Sequence, residues 1–403
     1  MSPENLWKWA QLKGIKVVGT GDFTHPEWLL ELKDKLETTG NGLFALKKEF
    51  RVNDIPASCI SDTFFILSSE ISCIYSKLGK TRKVHCIVFV PDFEDAFRIS
   101  KRLSRIGNLS SDGRPILGLD AKELLKIIVS ESKDAMLVPA HAWTPHFSVF
   151  GAMSGFDSLE ECFEDLTPHI HAIETGLSSD PSMNWRLSSL DNITLISNSD
   201  AHSPAKLGRE ANIFDTGFSY KAMMKALKDR KGFFGTIEFF PEEGKYHYDG
   251  HRSCEISLSP KETMKHNYLC PVCGKKVTVG VMHRVEKLAD REDGFRPIGA
   301  PDYYSIIPLH EIIAETLKVG AGSKTVEKDY LRLLENLGNE FKILLETPVE
   351  DIERAGSYRL AEAISRVRDH KVNIAPGYDG EYGKIKIFEE VVKKEIKGQK
   401  RLF

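Results

Sequence analysis

Along the first 240 residues, short apolar runs alternate with stretches whose apolar residues recur every three or four positions. The runs Ile15–Gly19, Phe64–Leu67, Ile87–Val90, Met136–Val138, Ile170–Ile173 and Thr194–Ile196 predict strands, and Ala121–Ser130 and Tyr220–Asp229 predict helices between them. Ser2, Pro3 and Glu4 form a helix start (a cap, a proline at the first turn, an acid near the positive end), ahead of a helix over Leu6–Leu12 that Gly14 stops. Strands alternating with helices predict a parallel sheet or barrel.

Beyond about residue 240 the pattern changes. A His- and Cys-bearing segment runs from Tyr246 to Cys273 and passes into a basic stretch, and from Ile306 the period is helical over Leu309–Leu317, Val326–Leu345 and Val349–His370. Three units follow: 1–240, an α/β unit; 241–300, a small metal-binding and basic segment; and 301–403, a mostly helical unit. With 403 residues, 41% of them hydrophobic, the chain has material for a large core. No stretch reaches the roughly 20 apolar residues of a membrane span and the N-terminus lacks an apolar leader, so the expected place is the cytoplasm, with no membrane partner. Seven cysteines, scattered except for a Cys270/Cys273 pair, agree with a reducing compartment, and a net charge of −3 neither demands nor excludes nucleic acid.

Candidate ligands gather at the predicted strand ends. Asp22 and His25 follow the first strand and Glu70 the second; His85 opens the third; His141 and His146 follow the fourth, Glu174 the fifth, and Asp200 and His202 the sixth. One such residue is ordinary, whereas a set at the carboxyl ends of strands in an α/β fold predicts a hydrolytic centre with several metal ions. Imidazole and carboxylate suit zinc, manganese and iron, and two or three ions polarise a phosphoryl oxygen and supply hydroxide at neutral pH. Asp200 is the candidate to accept the nucleophile's proton. His169 and His171 read as structural.

A second set, His251 and Cys254 followed by Cys270-x-x-Cys273 and Gly274, has the spacing of a closed tetrahedral zinc site, with His247 and His266 as less well-spaced alternatives to His251. Lys275, Lys276, His283, Arg284, Lys287 and Arg291 follow directly, and beside a zinc knuckle they predict phosphate contacts, with Lys80, Arg82 and Lys83 on the same surface. Tyr303, Tyr304, Tyr378 and Tyr382 are candidates to stack on bases.

G-T-G-D-F-T-H-P-E-W, S-S-E-I-S, P-A-H-A-W-T-P-H and S-N-S-D-A-H together resemble the polymerase-and-histidinol-phosphatase (PHP) domain, and more closely its endonuclease Q branch. C-P-V-C-G-K, R-V-E-K-L-A-D-R and A-P-G-Y-D-G-E-Y-G extend the likeness over nearly the whole chain. The resemblance implies a distorted parallel (β/α)7-type PHP barrel, then a zinc-binding segment and a helical C-terminal domain. It also implies a DNA endonuclease that nicks on the 5′ side of deaminated bases (uracil, hypoxanthine, xanthine) or abasic sites. The implied cofactors are zinc, structural and catalytic, with magnesium or manganese for catalysis, and the implied mechanism extrudes the lesion base before attack on the adjacent phosphodiester. Family members open with a strand ending in His-x-His; Met1 is expected to lie just after that strand, through a start assigned too far downstream. Two rivals are a PHP phosphatase acting on a small phosphomonoester and a catalytically impaired DNA-binding protein. A replication or repair clamp as partner is left open.

Overall fold

The computed structural model describes residues 1–388 of the 403; the end of the predicted helical unit, 389–403, lies outside them. The chain is a mixed α/β fold with a helical C-terminal part. Helix Pro3–Lys13 begins where the Ser2 hydroxyl accepts from the Asn5 amide. It leads into strand Val17–Gly19, which pairs parallel with the start of strand Phe64–Lys77.

Pairing in the main sheet departs from the parallel expectation. Phe64–Lys77 and Lys80–Val90 form one long antiparallel hairpin, and Met136–Pro139 adds antiparallel to its second strand. Leu78 and Gly79 close the hairpin at φ 54° and 71°. Two successive positive φ values match the right-handed twist of paired strands, which is why so short a loop reverses the chain and makes the pair antiparallel. Both strands outrun the apolar runs that predict them, because polar residues continue the two-residue alternation. Phe65, Leu67, Ile71 and Cys73 enter the main core, while Ile66, Ser68 and Glu70 face a cleft; across the hairpin Cys86, Val88 and Val90 enter the core, and Ile87 and Phe89 line the cleft.

Ala172–Glu174 and Thr194–Ile196 pair parallel, and Ala211–Phe214 pairs antiparallel with Phe233–Glu238, which pairs parallel with Asp302–Ser305. Glu174, Ile196, Ala211–Phe214 and Ile237 from these strands, with residues of the hairpin, line one cleft of about 1220 Å³.

The cysteine-bearing segment is a small antiparallel hairpin, Asp249–His251 with Ile256–Leu258, followed by helices Pro260–Lys265 and Val281–Leu288. Arg284 fastens it to the main unit by donating to the carbonyls of Phe150 and Phe156 and to Asp157. The helical part differs in detail from its periodicity. The predicted helix Val326–Leu345 ends at Leu337, and the Asn339 side chain accepts from the Lys342 amide to start a new turn. The predicted Val349–His370 is likewise two helices, Val349–Ala355 and Tyr358–Arg368, the second capped by the Ser357 hydroxyl. The helical core includes Leu12, Cys59, Ile237 and Phe240 from the first 240 residues. An ion pair joins the same parts: Lys13 Nζ lies 2.6 Å from Glu340 Oε2, both side chains 2% exposed. Among the described residues no helix is long and apolar enough to cross a membrane.

Candidate metal centre

Glu70 and His85 stand in mid-strand, not at strand ends. The register sets Ser72 opposite His85, so Glu70 is the diagonal neighbour of His85 on the same face. His141 arrives from the turn after Met136–Pro139, held at φ 30° while its amide donates to Glu174 Oε2 at 2.7 Å. One oxygen, Glu70 Oε1, lies 2.7 Å from His85 Nδ1 and 3.2 Å from His141 Nε2, and the two ring nitrogens are 3.1 Å apart. Ligands about 2.1 Å from a common metal are about 3.0–3.4 Å from each other, so this trio has the spacing of a coordination shell.

The electrostatics agree with a cation site. Burial alone pushes Glu70 up, but the hydrogen bonds of His141 and His85 outweigh it and hold the carboxyl well below its usual range. Burial pushes Asp22 up, and the charges of Glu70 and Asp112 push it further. Glu174 is pushed up to about 7 by burial. Burial lowers His141, but Glu70, Glu174 and Asp200 together raise it, so carboxylates surround this imidazole on several sides. A divalent ion is the simplest group to relieve that convergence of negative charge.

Asp22, His25, Asp200 and His202 line the same cleft, outside the trio. Asp200 and His202 do not extend the preceding strand as an i, i+2 pair: Asp200 turns to φ 42°, leaving His202 Nδ1 3.9 Å from its Oδ1, with His202 79% exposed and Asp200 41%. His146 does not join the others and is exposed at the surface; the ring of its neighbour, Phe147, packs tilted against His85 instead, with centroids 4.7 Å apart.

The second set converges. One ligand atom each from His251, Cys254, Cys270 and Cys273 lies within 4.8 Å of the others, and His251 Nδ1 is 3.5 Å from Cys273 Sγ. Thiolates on one tetrahedral zinc are about 3.8 Å apart, so the donors fit that ion. Burial pushes the Cys270 thiol up, but the amides of Cys273 and Val272 donate to its sulfur and bring it down to about 7. His247 is buried and His266 exposed, and neither belongs to this group.

The basic residues divide. Lys275, Lys276 and Lys287 are exposed. Arg284 is not a surface cation: it is buried on three oxygen partners, since a guanidinium with five donors can satisfy several carbonyls at once. Arg82 is also buried, stacked over Phe156 at 4.1 Å. Of the tyrosines, Tyr303 packs against Trp185, whereas Tyr382 is exposed beneath Lys245.

Periodicity and motif spacing pass over the loop 104–115. It brings Arg114 Nη1 to 3.3 Å from Glu70 Oε1 and lays Gly113 against the Asp22 carboxylate. Its sequence, S-R-I-G-N-L-S-S-D-G-R-P, is polar and reads as an ordinary connection.

The profile of a family described as the MJ0043 C-terminal domain matches residues 308–371. The uncharacterized protein MJ0043 of Methanocaldococcus jannaschii is 32% identical over 253 residues, 61% of this chain, and the chain spans only 31% of that protein's length. The uncharacterized protein YqxK of Bacillus subtilis is 30% identical over 382 residues, 94% of this chain and 90% of YqxK. The crystal structure of the lesion-specific endonuclease PfuEndoQ from Pyrococcus furiosus superposes with a TM-score of 0.83 at 30% identity, covering 98% of this chain and 93% of that one. A structure of endonuclease Q with a 27-mer duplex carrying an abasic lesion at the active site superposes at 0.81 with 31% identity, covering 98% and 94%. Likeness of this extent, at this identity and over nearly the full length of both chains, places the protein in the endonuclease Q family.

Proposed function

We propose that this protein is a metal-dependent DNA endonuclease of repair, nicking the phosphodiester 5′ of deaminated bases (uracil, hypoxanthine, xanthine) or abasic sites. The observation that carries the reading is the convergence of Glu70, His85 and His141, two of which, Glu70 and His141, line a cleft large enough for a nucleotide, in a chain that superposes on a lesion-specific endonuclease. In this reading residues 1–240 form a PHP-type barrel, 241–300 a zinc-binding and DNA-engaging segment, and the described part of 301–403 a helical domain.

Glu70, His85 and His141, with Asp22, His25, Asp200 and His202 from the cleft wall, would hold the catalytic ions, zinc with magnesium or manganese. Bound there, such ions polarise a phosphoryl oxygen and make water a nucleophile near neutral pH. The chain's own residues do the rest. Asp200, partly open to solvent, takes the proton of the attacking water. Glu174 fixes His141 by accepting from its amide, and Asn198 in turn donates to Glu174 at 2.8 Å. His251, Cys254, Cys270 and Cys273 hold a structural zinc, and Lys275, Lys276 and Lys287 meet phosphates.

The test is a nicking assay on duplexes carrying uracil, hypoxanthine or an abasic site, with manganese or magnesium. Cleavage on the 5′ side of the lesion, absent from undamaged duplex, is the expected result. Hydrolysis of small phosphomonoesters without nicking, or lesion binding without cleavage, overturns the reading in favour of a phosphatase or a DNA-binding protein.

A further inference from the structure

We propose that Arg114 grips the non-bridging oxygens of the phosphate under attack; the proposal rests on the endonuclease reading of the cleft. The electrostatic problem it answers is plain from the lining. Among the described residues, seven carboxyl groups, Asp22, Glu70, Asp112 and Asp200 among them, face the cleft, against two permanent cations, Lys16 and Arg114. A polyanion entering such a cleft needs positive charge where its phosphate meets the trio, and Arg114, whose Nη1 is 3.3 Å from Glu70 Oε1, stands there.

The fold holds this side chain in place. Asp112 Oδ1 accepts from the Arg114 amide, and the next residue, Pro115, offers its carbonyl to the amide of Ser72. Ile116 and Leu117 then pair with Ser72 and Cys73, so Arg114 is anchored to the strand that carries Glu70. On its other side a Cβ at Gly113 would lie 2.4 Å from Asp22 Oδ2. Glycine lets the backbone pass against this carboxylate without displacing it, so the loop runs between two candidate ligands.

The guanidinium is free for the task. It lines the cleft, meets Glu70 through Nη1, and is 39% exposed, so a group with five donors keeps capacity for a further partner. When a cation takes Glu70, that contact weakens and the planar fork is left for two phosphate oxygens, a geometry that lysine does not reproduce.

The experiment titrates inorganic phosphate into the full chain with manganese present, by calorimetry, for the wild type, Arg114→Lys and Arg114→Gln. Loss of a bidentate charged contact is expected to weaken phosphate binding at least about tenfold in both variants, with manganese content unchanged. On an abasic duplex, kcat is expected to fall at least about a hundredfold while KM changes less than about threefold. If Arg114 only neutralises Glu70, its replacement tightens manganese binding and leaves phosphate affinity unaltered, which overturns the proposal. A wild type that binds no phosphate, or variants that nick at the wild-type rate, overturn it too. Arg114-dependent phosphate binding without any nicking would leave the clamp standing and remove the endonuclease reading.

Discussion

Asp22, His141 and Asp200 hold φ values of 52°, 30° and 42°, a region that costs a residue with a Cβ on the order of 1 kcal/mol and that folds tend to keep at functional sites. Asn adopts this region as readily as Asp, so Asp200→Asn removes charge without disturbing the turn. Nicking should fall by about 10²–10⁴, the usual contribution of a general base, while affinity for lesion duplex in a gel shift stays within about threefold. Affinity falling in step with rate would place Asp200 in the DNA-holding surface instead. Away from the centre, burial and then the charge of Glu311 push Glu243 up to about 7. A carboxyl raised in the fold contributes stability below its unfolded value, near 4.5, and loses it as pH rises through about 7. Glu243→Gln should therefore leave stability unchanged at about pH 4 and raise it at about pH 8, on the order of 1 kcal/mol, in denaturant unfolding at the two values.

Among the elements, the long hairpin decides most, because it carries both Glu70 and His85 and its register sets them diagonally. Its turn is not optimal. Leu78 takes a positive φ with its side chain 73% exposed, so it bears backbone strain without burying apolar surface in return. Leu78→Asn completes the Asn-Gly pair that such turns favour and should raise stability by about 0.5 kcal/mol, read from the denaturant midpoint. The zinc-binding hairpin depends instead on its ligands: its own apolar cluster is small, with Leu258, Cys270 and Val277 buried. Cys273→Ser should remove one zinc per chain by metal analysis and weaken binding to lesion duplex, because the turn bearing Lys275 and Lys276 loses its anchor. A mutant with full zinc content would mean that these cysteines only pack.

Across the whole molecule, the first helix and the helical part are joined by a polar core. Glu340 receives Lys13, the Tyr330 hydroxyl at 2.8 Å and the Leu309 amide at 3.0 Å, all within buried surroundings. Burial alone would raise this carboxyl, but Lys13 outweighs it and keeps it low. Removing one member strands the other without water. Glu340→Ala should cost about 3–5 kcal/mol in denaturant unfolding, and pairing Lys13→Met with Glu340→Leu should recover most of it. A small loss in the single variant would show that water reaches Lys13.

The chain's local chemistry is legible by itself. The helix start at Ser2 and Pro3 and the Cys-x-x-Cys turn follow from contacts between near neighbours, and ligand-type residues cluster in short segments that any reader of the sequence can pick out. Tertiary structure alone decides how those segments meet. It places Glu70 and His85 in mid-strand through a two-residue turn, leaves His146 outside the trio, and buries Arg284 on carbonyls more than a hundred residues away. It also brings Arg114, 44 residues beyond Glu70, to the centre through a loop without periodicity. Composition and spacing are silent about such pairings because they depend on which surfaces pack together, and packing joins residues by shape and charge irrespective of their distance along the chain.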